Sequence, residues 1–272
     1  MDEQQAAAYL GRIGAERPER PDAAGLRALQ SAHLEAVPFE NLAVGLGEPV
    51  VLEEEALLAK IVDRRRGGFC YELNGAFAGL LRALGYRVDL LAARTFGADG
   101  RPGPPFDHMA LRVELDEPWL VDVGFGRFGH HPLRLAARGD QSDPGGVFRV
   151  TPAEDGPAAP GAPEVPEGMG ALDVLMDGEP QYRLDPRPYA LADFVPTCWW
   201  QTTSPQSHFT RSSTCSRLTA DGRITLSGTR LIRTGPDGAR TEEQLSEEEA
   251  LAAYRVHFGI TLTRLPVGAP PR

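Results

Sequence analysis

A chain of 272 residues, 42% apolar and 24% charged, has material for a sizeable core and reads as a globular protein of two or three compact units. Its formal charge of −10, with a pI near 5.1, argues against nonspecific nucleic-acid binding, which needs a basic surface to release counterions. No apolar run reaches the ~18 residues of a membrane span. Three cysteines, Cys70, Cys198 and Cys215, lack the spacing of a disulfide framework. Met1-Asp2-Glu3-Gln4-Gln5 has neither a basic nor an apolar signal region, so a reducing cytoplasm is the expected compartment.

Residues 1–85 read mostly as helix, with apolar positions at helical spacing in 23–36, 53–62 and 70–84. The segment Cys70 to Leu84 is the clearest. Leu73, Phe77, Leu80, Leu81 and Leu84 form one stripe, and Gly85 stands where a C-terminal cap belongs. From Tyr86 the period changes to that of strands. Met109, Leu111, Val113 and Leu115 alternate with His108, Ala110, Arg112 and Glu114, and Trp119 to Phe125 follows the turn Asp116-Glu117-Pro118. Residues 152–170 carry five prolines and read as an irregular, exposed loop. Asp177-Gly178 and Asp221-Gly222 mark two further hairpins, with a short helix expected near 188–200 between them. Ser246 and Glu249 form a capping box that starts a last helix, to about Phe258.

Three residues stand out as carriers of chemistry. Cys70 follows Arg64-Arg65-Arg66-Gly67-Gly68-Phe69, where the glycines allow a sharp turn and the helix start favours a thiolate. The neighbouring arginines add positive potential. A lone cysteine also serves as an inert buried hydrophobe. His108 opens a strand on its more polar face, and reads equally as a base or as a satisfied structural histidine. Asp122 interrupts the apolar run Trp119-Leu120-Val121 and must be bonded if buried, whether it orients a histidine or anchors backbone. The hairpin puts Asp122 and His108 on one face but several residues apart along the ladder, so direct contact calls for a bulge or bend. The order Cys, His, Asp fits thiol catalysis. A zinc site lacks paired Cys or His spacing, and no phosphate-cradling glycine loop is present.

Several segments resemble the arylamine N-acetyltransferase family. Arg66-Gly67-Gly68-Phe69-Cys70-Tyr71-Glu72-Leu73-Asn74 resembles its active-site motif, and Val37-Pro38-Phe39-Glu40-Asn41-Leu42 its upstream signature. Phe106-Asp107-His108-Met109 and Val121-Asp122-Val123-Gly124-Phe125-Gly126 match the segments that supply histidine and aspartate. Ser207-His208-Phe209 and Cys215-Ser216-Arg217-Leu218 match a later segment. The resemblance implies an α+β fold: an N-terminal helical bundle (1–85) carrying the nucleophile, a central β barrel (86–190) carrying His and Asp, and a C-terminal α/β lid (191–272). It further implies kinship with the thiol-protease and transglutaminase group. It implies Cys70, His108 and Asp122 as catalytic residues, acetyl-CoA as co-substrate with no bound cofactor or metal, and a small arylamine as acceptor. Phe39, Phe125 and Phe209 match positions lining the family's acceptor pocket, against the plain alternative of core packing. Glu40 and Asn41 read as structural, bonding backbone near the site. The tail beyond about 230 aligns with no family segment residue by residue.

The implied reaction passes an acetyl group through Cys70 to an arylamine, or to an arylhydrazine or N-hydroxyarylamine. The same residues also serve an amide synthase taking a polyketide chain from a carrier protein, a thiol hydrolase in which water is the acceptor, and a binding protein on a retired scaffold.

Overall fold

The computed structural model describes residues 1–153 and 170–268. Two helices open the chain, α1 (Glu3–Ile13) and α2 (Ala23–Ala36), each with an aspartate accepting from the third backbone N–H of its first turn. A two-residue strand β1 (Phe39–Glu40) follows, then the short helices α3 (Leu42–Leu46) and α4 (Glu54–Leu58). One π-helical turn, Ala59–Asp63, continues α4 and so covers the expected 53–62 helix in two geometries. Helix α5 (Cys70–Ala83) is buried over almost its whole length. Periodicity in the sequence did not single out α1, whose apolar face is carried by Ala6, Tyr9, Leu10 and Ile13 alone.

The central sheet comprises β2 (Arg87–Thr95), β3 (His108–Glu114), β4 (Pro118–Val121), β5 (Leu133–Arg134), β6 (Gln141–Asp143), β7 (Gly146–Pro152), β8 (Leu172–Met176) and β9 (Glu179–Tyr189). All eight pair antiparallel in the order β5-β4-β3-β2-β9-β8-β7-β6. The sheet nearly closes into a barrel. Its two edges are stitched by the Gln141 amide, which accepts from Arg134 N (2.8 Å) and donates to Arg134 O (3.0 Å). Pro152, expected in the irregular loop, instead ends β7 paired with Leu172; residues 154–169 lie outside the described chain.

Helix α6 (Val195–Thr203), entered through a 3-10 turn at Leu191–Phe194, and α7 (His208–Arg211) lead to a second antiparallel sheet. That sheet holds β10 (Thr214–Thr219), β11 (Gly222–Ser227), β12 (Arg230–Thr234) and β13 (Arg240–Gln244), with β1 on its far edge. Helix α8 (Glu247–Phe258) has the expected capping box and packs Ala250, Tyr254 and Phe258 against Leu226 and Leu231.

Strands β2 and β3 separate two cores. Val88, Leu90 and Ala92 of β2, with Met109, Leu111 and Val113 of β3, face the helical core around α5. Leu91, Ala93 and Ala110 face the barrel interior with Phe148, Val174 and Leu184. The strict period of two thus sets helix α5 against one face of the sheet and fills the barrel from the other.

Candidate active site

Cys70 is the first residue of α5 and is 5% exposed. Glu72 closes the helix start by accepting from Phe69 N (3.2 Å), and Lys60, the only lysine, meets the same carboxylate at 2.6 Å. Gly67 and Gly68 are needed for space more than for a sharp turn. Neither has positive φ, but a Cβ on Gly67 would run into the Pro38 carbonyl oxygen, and one on Gly68 would lie 2.7 Å from Glu72. This close approach lets Glu40 N bond Gly68 O (2.8 Å) and ties β1 to the segment before Cys70.

His108 opens β3 and shares the face of Ala110, which points into the barrel. The face that reads as polar in the sequence is therefore a buried one, and the imidazole is 3% exposed between Phe125 and Tyr182, each 5.1 Å away ring to ring. Asp122 lies one residue beyond the end of β4. Leu111 pairs with Val121, so continuing the register sets Asp122 opposite Ala110, the next inward position after His108. Diagonal neighbours of this kind are within side-chain reach, and no bulge is required in the β3–β4 ladder. Asp122 Oδ2 sits 2.7 Å from His108 Nε2.

Asn74, one helical turn beyond Cys70, welds these parts. Its amide donates to Met109 O (2.6 Å) and to Asp122 Oδ1 (3.0 Å), and accepts from Val123 N (3.0 Å). Gly124 N gives Asp122 Oδ1 a further bond at 2.9 Å. Asp122 is thus buried yet bonded at both oxygens, as an interior carboxylate must be. Gly124 also permits contact between elements, because a Cβ there would lie 2.6 Å from Cys70 Cα.

Cys70 and His108 open on one cavity of about 530 Å³, which Phe39, Phe125 and Phe209 also line. With Nε2 engaged by Asp122, Nδ1 is the imidazole nitrogen without that partner. A buried cysteine at a helix start, a histidine and an orienting carboxylate around a concave site make an arrangement suited to nucleophilic acyl transfer. Among the described residues, no group of three or more His, Cys, Asp or Glu is placed to hold a metal ion, and no helix is long and apolar enough to cross a membrane.

The family model described as N-acetyltransferase matches residues 22–267. An arylamine N-acetyltransferase of Mycolicibacterium smegmatis is 38% identical over 262 residues, 93% of this chain and 91% of that protein. The solved arylamine N-acetyltransferase of Salmonella typhimurium superposes with a TM-score of 0.84 at 30% identity, covering 100% of this chain and 96% of that one. The Mycobacterium marinum arylamine N-acetyltransferase in complex with CoA gives 0.79 at 33%, covering 94% and 92%. The chain belongs to the arylamine N-acetyltransferase family. It is an acyltransferase.

Within that family fold the electrostatics differ from the expectation drawn from the sequence. Burial pushes the Cys70 thiol well up; the Met109 N–H opposes this, and the Asp107 and Asp122 carboxylates add to it. The neighbouring arginines do not offset it. Arg66 turns away to Glu40 (3.0 Å) and Glu48 (3.2 Å). Burial also pushes Cys198 up to about 12 and Cys215 well up, so a depressed thiol pKa does not set Cys70 apart. What distinguishes it is the cavity it lines together with His108. Cys198 and Cys215 are packed into the helical core and the C-terminal core.

Other contributors carry weaker signals in the sequence. Asn74 stands at i+4 from Cys70, a spacing that shares its helix face. Tyr182 comes from β9, far along the chain, and its hydroxyl faces Asp122 without direct hydrogen-bond geometry. Asn41 bonds the backbone at Phe209 O, Ser212 O and Thr214 N, while Glu40 accepts from Leu42 N and Arg66.

Proposed function

We propose that the protein transfers an acetyl group from acetyl-CoA to an arylamine through an acetyl-Cys70 intermediate, with His108 as proton carrier and Asp122 as its anchor. The observation that carries this reading is the 2.7 Å His108–Asp122 pair, joined by Asn74 to the helix that starts at Cys70, on the wall of one cavity. His108 Nδ1 takes the thiol proton as Sγ attacks the acetyl carbonyl carbon. The carbon–sulfur bond to CoA then breaks, and the departing sulfur takes the proton from Nδ1. A neutral arylamine next attacks the same carbon, its proton passes to His108, and Cys70 leaves as the thiol. A lone thiolate is disfavoured by burial. Passing its proton to an imidazole already facing Asp122 leaves the net charge of the site unchanged, and so avoids most of that penalty.

A second cavity of about 710 Å³ lies beyond Phe39, which lines both. Arg127, Arg223, Arg230 and Arg240 line it, and among the described residues Glu35 is the only carboxylate to do so. Arg230 and Arg240 meet Glu242, whereas Arg223 is held down to about 10 by burial and by Arg127 facing it. Two facing cations in a cleft favour a polyanion, and the phosphates of CoA fit there, with the pantetheine arm passing Phe39 towards Cys70. Phe39, Phe125 and Phe209 then hold the aromatic acceptor.

Initial rates over a grid of acetyl-CoA and arylamine concentrations test the scheme. Parallel double-reciprocal lines are expected, with activity lowered more than about a hundredfold in Cys70→Ser. Intersecting lines, or acyl transfer only from a carrier protein or only to water, would contradict it.

A further inference from the structure

Asp107 precedes His108, and its carboxylate lines the same cavity as Cys70. It accepts from the Thr95 hydroxyl through Oδ2 and from Gln201 Nε2 through Oδ1 (2.6 Å). Both donors are neutral, and no ion pair among the described residues includes Asp107. The backbone that holds it is constrained. Phe106 has φ 61°, a left-handed conformation that a bulky residue rarely adopts. Tyr71 Oη fixes that turn by donating to Phe106 O (2.7 Å) and Asp107 O (3.2 Å), while the Phe106 ring packs edge-on against Tyr189 and Phe194. Gln201 is itself held by Ser207 Oγ at 2.7 Å, so α6 and the start of α7 join in placing the carboxylate.

The other acidic and basic side chains lining the cavity are Asp99, Arg101 and His208, all exposed, and His108, which faces Asp122. Asp99 and Arg101 oppose in sign and sit in screening solvent. Asp107 is half-buried and therefore less screened. Its field also reaches the Cys70 sulfur, where it raises the thiol.

We propose that Asp107 is a specificity-determining residue that turns the cavity against anionic arylamines and towards neutral or cationic ones. This rests on the arylamine reading above. A unit negative charge on the acceptor ring, within about 10 Å of the carboxylate in a partly desolvated cavity, gives a discrimination of roughly tenfold.

The test compares 4-aminobenzoate with its methyl ester as acceptors, with acetyl-CoA as donor, in the wild-type enzyme and in Asp107→Asn and Asp107→Ser. The ester-to-acid ratio of kcat/KM is expected to fall at least about tenfold in either variant that folds, and the wild-type ratio to shrink as salt is added. A purely structural role for Asp107 would lower both substrates together and leave the ratio in place. A ratio unchanged within about twofold would overturn the proposal while the arylamine reading stands. Failure of the wild type to acetylate the ester would overturn that reading, and this inference with it.

Discussion

At the scale of single residues, the site shows how one side chain changes meaning with its surroundings. All three thiols are raised by burial, so in the proposed mechanism reactivity rests on access to the cavity and on His108 as proton acceptor. Iodoacetamide at neutral pH is expected to label Cys70 ahead of Cys198 and Cys215, as read by peptide mapping. In His108→Ala the Cys70 thiol is left to burial and the Asp107 and Asp122 carboxylates, opposed by the Met109 N–H alone. Its folded pKa lies above the ordinary value, so the thiolate fraction is small near neutrality and labelling should keep climbing beyond pH 9. Equal labelling of the three cysteines, or a His108→Ala profile like the wild type, would remove His108 from this role. Cys70, His108 and Asp122 were legible as candidates because each breaks a local rule: a thiol at a helix start, a histidine opening an apolar strand, an acid inside one. The arginines before Cys70 misled. Sequence proximity placed their charge near the thiol, whereas Arg66 is spent on the buried Glu40.

At the scale of elements, the site is a junction between the start of α5 and the ends of β3 and β4, and it depends on what is absent at Gly124. Ala at this position would put its Cβ 2.6 Å from Cys70 Cα and 2.7 Å from the Asn74 amide. Backbone cannot yield as a flexible side chain does, so β4 must shift away from α5 and carry Asp122 with it. Gly124→Ala is expected to lower kcat/KM by on the order of a hundredfold, since small displacements of a reacting geometry have such effects. A stopped assay with near wild-type turnover would show that the junction tolerates the shift. Helices α2, α5 and α8 and the hairpins were legible from period and turn residues, including the Asp177-Gly178 turn, where both φ values are positive (53° and 86°). The junction was less so. Its decisive contacts run between residues far apart in sequence, as from Asn74 to Met109 O and from Tyr182 towards Asp122, and no local pattern encodes them.

At the scale of the whole molecule, two sheets and a helical core share Phe39 and the start of α5 as their meeting ground, and the stability of the helical core bears on the site. His33 on α2 is fully buried, bonded through Nδ1 to Tyr9 Oη (3.1 Å) and packed on Phe77, with Nε2 unpartnered. Burial, aided by Arg12, lowers its pKa to about 3. The unfolded chain takes up this proton below about pH 6.5 and the folded one does not. Stability is therefore independent of this group above that pH and falls by up to about 1.4 kcal/mol per unit as pH drops towards 3. Urea titrations between pH 7 and 4 should show a shallower decline in His33→Phe than in the wild type; identical slopes would place the acid sensitivity elsewhere. The central claim concerns the covalent intermediate, and intact mass spectrometry tests it most directly. Incubation with acetyl-CoA and no amine should add one acetyl group to the protein, mapped to the peptide containing Cys70, and addition of an arylamine should discharge it as the N-acetyl product. Formation of that product with no acetylated protein at any time, or an acetyl group mapped to another residue, would contradict the account.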